Sequence, residues 1–204
     1  EPVTLTVMPV SNGCSPAMPT LVNLNVKPVP NLTTPPAAPL CSGNLTNISL
    51  TSDVAGTLFT WTSSVIAGSA TGNGASATPA VTISDALVNT GDVDAVVRYS
   101  ITPHANGCDG LTYNYDVTVH PVPLLTNDPK AKSICQGNNT DIVLLSNVTG
   151  AQFTWTCSQP SGFVNGWSNS SVPSVAISQV LSLSVAVKDS VYYNILPVAN
   201  GCIG

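Results

Sequence analysis

The sequence predicts an all-β protein built from tandem β-sandwich repeats of about 94 residues. Three observations carry that expectation: a composition that favours strands, apolar residues that alternate with polar ones, and a phrase that recurs at a fixed interval. The 204 residues include 15 Gly and 17 Pro, and the apolar positions are spaced out by Thr, Ser and Asn. Branched side chains suit a pleated surface, whereas Pro and Gly interrupt helices. The phrase is "PVSNGC" at Pro9 to Cys14, "PHANGC" at Pro103 to Cys108 and "PVANGC" at Pro197 to Cys202, each copy 94 residues after the last.

The repeat extends well beyond that phrase. Cys41 and Cys135 stand 94 apart, as do Trp61 and Trp155, and the stretches from Cys41 to Thr62 and from Cys135 to Thr156 agree at 13 of 22 positions without a gap. Such agreement marks a repeated structural unit. The Pro-rich phrases "KPVP" (Lys27 to Pro30) and "HPVP" (His120 to Pro123) separate the units, because proline fixes the backbone in an extended, stiff form. Residues 1–30 are therefore expected to be the last two strands of a preceding repeat, residues 31–121 a complete repeat, and residues 122–204 a second repeat without its last strand. On this reading the chain is a window from a longer array.

The elements of the complete repeat follow from period-two alternation. After a strand at Ile48 and Leu50, Phe59 and Trp61 share one face of "LFTWT". Val81 and Ile83 share one face of "AVTIS", Val97, Tyr99 and Ile101 one face of "VVRYSI", and Val117 and Val119 one face of "YDVTV". Roughly seven strands in about ninety residues is the count of an immunoglobulin-like sandwich. Trp61, Trp155, Phe59 and Phe153 are the expected core aromatics, packing being preferred over ligand stacking because the strand pattern buries them. Asn-Gly favours positive φ, so each "NGC" reads as a tight turn followed by a cysteine.

The cysteines point to disulfides. Cys41 to Cys108 and Cys135 to Cys202 are both separations of 67 residues, and the simplest arithmetic pairs them within each repeat, a bond worth about 4 kcal/mol on a chain-entropy argument. Cys14 is left without its expected partner. Cys157 replaces Ser63 and shares the inward parity of Phe153 and Trp155, which predicts a buried, inert thiol. Zinc is disfavoured, since there is no CxxC and neither histidine recurs. Disulfides place the protein outside a reducing cytosol.

Several function classes are disfavoured. Charged residues make up 7% of the chain at a net charge of -5, thin material for binding nucleic acid. No window approaches the roughly eighteen uninterrupted apolar residues of a membrane span. No G-x-S-x-G elbow, phosphate loop or HExxH occurs, and the single Glu is Glu1, so neither catalytic residues nor a cofactor are expected. Asp92, Asp94 and Asp109 could suggest calcium, but the second repeat has Ala186, Lys188 and Ile203 there, which favours solvated turns. Six N-x-S/T sequons, at Asn31, Asn44, Asn47, Asn138, Asn147 and Asn169, barely exceed what composition produces.

The motifs "CSG" and "CQG", "TNISLTS", "VAGTLFTWT", "YSITPHANGCDG" and "YDVTVHPVP" resemble the PKD-like immunoglobulin-fold repeats of large surface and secreted Bacteroidota proteins, including gliding-motility-associated adhesins. The resemblance covers nearly all of residues 29–204, although the Gly-Asp-Gly turn of better-known PKD repeats is absent. It implies export, by the type IX route, and a structural place in a cell-surface adhesin, stalk or filament. Its implied partners are neighbouring repeats or copies of the same chain, with surface polysaccharide as a further class. Asp189-Ser190-Val191 is similar to the short O-glycosylation signal of Bacteroidota, which makes Ser190 the acceptor. Two alternatives stand beside the spacer reading: a self-assembling fibre subunit completed by strand exchange between chains, and a carbohydrate-binding module of a secreted enzyme using Tyr113, Tyr115, Tyr192 and Tyr193.

Overall fold

A computed structural model describes residues 2–15 and 18–204, and every regular element among them is a strand. The first two, β1 (Pro2–Val7) and β2 (Thr20–Asn25), form a separate antiparallel hairpin. Ten strands follow in the complete repeat: β3 (Leu40–Cys41), β4 (Ile48–Ser49), β5 (Leu58–Ala67), β6 (Ala70–Thr71), β7 (Ser76–Ala80), β8 (Thr82–Ile83), β9 (Val88–Asn89), β10 (Ala95–Ala105), β11 (Cys108–Asp109) and β12 (Tyr113–His120). The remaining eight are β13 (Ile142–Val143), β14 (Gln152–Ser158), β15 (Val164–Asn165), β16 (Ser170–Ser174), β17 (Ala176–Ile177), β18 (Ser182–Leu183), β19 (Tyr192–Ala199) and β20 (Cys202–Ile203).

In the complete repeat one layer runs β3-β12-β10-β5-β7, with β11 folded back on β10; the short pairs β4-β8 and β6-β9 form the other. All pairs are antiparallel except β12 with β3. Strand β10 explains the layering: its burial alternates strictly, with Ala95, Val97, Tyr99, Ile101, Pro103 and Ala105 inside. Phe59, Trp61, Ile83, Val117 and Val119 meet that face to form one apolar cluster with Ile48, Leu50 and Leu87. Two inner faces interdigitating in this way are a β-sandwich, and the expected immunoglobulin-like architecture is the one found.

The expectation that Val81 shares the buried face with Ile83 is corrected. Val81 is 49% exposed, because it occupies the bend between β7 and β8 at which the chain crosses from one layer to the other. Parity cannot be carried through a bend, and Ile83, inside β8, is fully buried.

The second repeat reproduces the first at an offset of 94. Trp61 opposes Ile101 and Ser76, and Trp155 opposes Ile195 and Ser170. Its core gathers Leu144, Val148, Ala151, Phe153, Trp155, Ile177 and Ala199. Over the described residues it has no counterpart of β12. Tyr193 and Ile195 are consequently half-buried, where Tyr99 and Ile101 are fully enclosed. The β1-β2 hairpin copies β10-β12: Val3 opposes Leu24 as Val97 opposes Val117, and in each copy the residue before the Asn-Gly turn bridges its cysteine, Ser11 to Cys14, Ala105 to Cys108 and Ala199 to Cys202.

Candidate functional site: the junction between repeats

The candidate site lies where one repeat meets the next, and the Asn-Gly turns build it. Asn106 and Gly107 have φ of 55° and 77°, and Asn200 and Gly201 have 51° and 77°, the paired positive angles of a two-residue hairpin turn. Each turn sits at the pole of its repeat that receives the linker. Gly110 closes on the carbonyl oxygen of Pro30, and Gly204 on that of Pro123, so closely that a Cβ at either glycine would collide with the linker backbone. Lys27 Nζ reinforces the first contact, donating to Asn106 O at 2.7 Å.

A disulfide joins the opposite pole of the complete repeat to the turn of the second. Cys41 bonds Cys202, with Cα atoms 5.6 Å apart and a sequence separation of 161. The expected pairings of Cys41 with Cys108 and of Cys135 with Cys202 are therefore corrected. Cys41 lies beside His120 at the end of β12, whereas Cys108 follows the far end of β10. The ten steps of β10 span about 33 Å at roughly 3.3 Å each, far beyond the reach of one disulfide. Folding places the two cysteines of one repeat at opposite poles, and stacking brings the leading cysteine of one repeat to the turn cysteine of the next. Cys108 and Cys135 are free thiols, as are Cys14 and Cys157.

Polar contacts complete the junction. Asn147 Oδ1 accepts from Leu124 N at 2.7 Å, and Asn147 Nδ2 donates to Asp92 Oδ1 of the complete repeat at 2.7 Å. The same cap occurs one repeat earlier, where Asp53 accepts from Asn31 N and from Asn31 Nδ2; those bonds hold the Asp53 carboxyl below its usual range. His120 Nδ1 lies 2.8 Å from Asp94 Oδ1, tying the linker's first residue to its own repeat.

The other sequence-derived positions do not assemble into a site. Trp61 and Trp155 are buried beside Phe59 and Phe153, and Trp155 Nε1 donates to Ser168 O at 3.0 Å. Asp92 and Asp94 make the separate contacts above, and Asp109 lies 2.7 Å from His104 Nδ1. Among the described residues no three His, Cys, Asp or Glu side chains group as metal ligands. Tyr115 is buried with its hydroxyl on Pro35 O, Tyr113 donates to Asn31 and Tyr193 to Gln179, so of the four tyrosines only Tyr192 is openly exposed. Cys157 packs on the second core, and burial pushes its thiol pKa up. Ser190 is exposed, its amide donating to Asp189 Oδ1 at 2.7 Å.

Sequence reasoning missed one feature, a groove of about 540 Å³ in the second repeat. Leu125, Ile134, Ile142, Leu144, Ile177 and Ile195 line it. Their counterparts Leu32, Leu40, Ile48, Leu50, Ile83 and Ile101 surround β12 in the complete repeat. The groove lies at the position that β12 fills in the complete repeat, and the repeat offset itself could have located it.

These features define a class: tandem immunoglobulin-like sandwiches with a cross-linked junction. The family model of the PKD-like domain matches residues 38–123 and 132–204, most of the chain, and the protein belongs to that family. No curated protein matches the chain. Domains of this family are structural and generally non-catalytic, and they often mediate protein contacts. The disulfide is compatible with an extracellular location, and no helix among the described residues is long and apolar enough to cross a membrane.

Proposed function

We propose that this chain is a structural repeat segment of an extracellular surface adhesin, stalk or filament, in which residues 31–121 and 122–204 act as stacked, mechanically coupled modules. The observation that carries this reading is the Cys41–Cys202 bond, which spans a Pro-rich linker and joins the two repeats. A stiff linker limits bending, and a second covalent tie beside it leaves few relative motions. The likeness of the motifs to Bacteroidota gliding-motility adhesins extends the reading to a cell-surface setting in that group, with neighbouring repeats as the first partners and surface polysaccharide as a ligand class. Small-angle scattering tests the spacer role. A rod whose maximum dimension is the same in several salt conditions, and which broadens on reduction, supports it; tight binding of polysaccharide by the purified chain defeats a purely passive role.

A second reading is a self-assembling fibre completed by strand exchange. The groove of the second repeat favours it, as does the edge of β19, which among the described residues is paired only by β20 at Val198 and Ala199, because an open edge accepts a strand. Strand β2 corresponds to β12 and shows its apolar residues to solvent, with Leu21 63% exposed and Leu24 54%. Electron microscopy at rising concentration separates the two: particles that stay monomeric sink the fibre.

A further inference from the structure

We propose that Cys108 and Cys135 are open halves of the same staple that joins Cys41 to Cys202. Cys108 takes the leading cysteine of a PKD-like module stacked on its linker side, and Cys135 takes the turn cysteine of a PKD-like module stacked beyond it. The inference deepens the tandem reading and rests on it.

The Cys108 site is built like the Cys202 site. Gly110 N donates to Pro103 O at 2.8 Å, and Gly204 N donates to Pro197 O at 2.9 Å. In both, a linker carbonyl lies against the glycine that follows the turn, Pro30 at one and Pro123 at the other. A thiol at this position is therefore already held where, one repeat later, it has bonded.

An independent observation shows what reaches Cys108. In the complete repeat the leading cysteine, Cys41, sits in parallel register with His120, the residue that opens the linker. The hairpin β1-β2 has the register of β10-β12 and runs into Lys27, the counterpart of His120, and Lys27 Nζ is bonded to Asn106 O in the turn that precedes Cys108. A module ending in such a hairpin sets its own leading cysteine next to Lys27, and hence next to Cys108. Cys14 bridges Ser11 across the same kind of turn and follows the same rule.

Cys135 carries the other half. Its loop repeats that of Cys41 in detail: Asn138 N donates to Cys135 O at 3.2 Å as Asn44 N does to Cys41 O at 3.1 Å. Gly137 N donates to Leu181 O at 2.7 Å as Gly43 N does to Leu87 O at 2.7 Å. Neither thiol can satisfy its own repeat, for the polar separation that keeps Cys41 from Cys108 also keeps Cys135 from Cys202. Closing each staple joins two sulfurs and releases two protons and two electrons. A small-molecule disulfide such as oxidised glutathione accepts them by exchange and leaves as two thiols.

The test is a non-reducing peptide map of the native polypeptide after free thiols are blocked with N-ethylmaleimide. The expected result is Cys108 linked to a peptide bearing the leading cysteine of a PKD-like module, Cys135 linked to a peptide ending in Asn-Gly-Cys, and Cys41 linked to Cys202. The reduced mass tells whether a partner module belongs to the same polypeptide or to a second copy, and either supports the staple. Maleimide on Cys108 and Cys135 beside an intact Cys41–Cys202 link overturns it, as does a Cys41–Cys108 or Cys135–Cys202 link. A rod-shaped particle with both thiols blocked refutes the staple while sparing the spacer role; a particle whose repeats do not stack refutes the spacer role.

Discussion

Tyr99 shows how one buried polar group organises a repeat. Its ring is fully enclosed, and its hydroxyl donates to Asp85 Oδ2 at 2.7 Å, while the same carboxylate oxygen accepts from Gly74 N at 2.7 Å. Burial and the Asp85 contact push the hydroxyl pKa far above its usual range. The Tyr99→Phe variant leaves Asp85 with one donor fewer, and its stability is expected to fall by about 2 kcal/mol in urea melts, the scale of a hydrogen bond to a charged group. In the second repeat Gln179 replaces Asp85 and accepts from Tyr193 at 2.9 Å; there burial, then the Cys157 thiol, push Tyr193 up to about 12. An unfolded tyrosine titrates near 10. The folded state therefore favours the neutral phenol: the stabilisation is whole below about pH 10 and is lost as pH rises to about 12. Tyr193→Phe is expected to flatten the alkaline decline in melting temperature of the second repeat, and an unchanged slope counts against the assignment. Tyr99 and its inward face are legible in the sequence because alternation marks them. The Asp85 contact is not, since its partners lie 11 and 14 residues away across loops.

At the level of elements, β10 is the axis of the complete repeat, pairing with β5, β11 and β12. Ile101 lies inside it, opposite Trp61 and Tyr113, with no exposed surface. Truncation to Ala removes buried methylenes and leaves a cavity, so Ile101→Ala is expected to destabilise the complete repeat by about 2–5 kcal/mol. Chemical denaturation monitored at Trp61 measures it, and the Trp155 signal is expected to hold. The linker contact yields a sharper case. Gly204 has no positive φ to maintain, so Gly204→Ala acts through its Cβ, which meets the Pro123 carbonyl and, less closely, the Pro197 ring. The expected effect is a linker displaced from the turn and slower formation of the Cys41–Cys202 bond in a glutathione buffer, with the apolar cores unchanged by near-ultraviolet circular dichroism. The long strands were readable from alternation, because one face of each is dry. The two-residue strands β6 and β9 offer too few positions for a period; β4 and β8 were readable through Ile48, Leu50 and Ile83, but at Val81 the bend broke the parity on which the reading depended.

Across the whole molecule the disulfide decides how the repeats are coupled. Enclosing 161 residues, it lowers the entropy of the unfolded chain by an amount worth about 5 kcal/mol on the loop-closure argument. The Cys41→Ser variant is expected to lose a large part of that stabilisation while both cores still form, because the bond touches the junction and neither interior. The repeat length, the sandwich class and the turns were all legible in the sequence, since each is a local pattern copied at a fixed offset. The pairing was not. A fixed offset is equally consistent with bonds inside repeats and bonds between them, and only the length of β10 shows that the cysteines of one repeat stand at opposite poles.

Pulling single molecules by their termini measures that coupling directly. With Cys41 bonded to Cys202, about 43 residues remain extensible, so oxidised molecules are predicted to release about 15 nm of contour at roughly 3.5 Å per residue, rising to about 70 nm once reduced. Bonds closed within each repeat leave about 70 residues free, and an oxidised contour near 25 nm at the same length per residue would contradict the account.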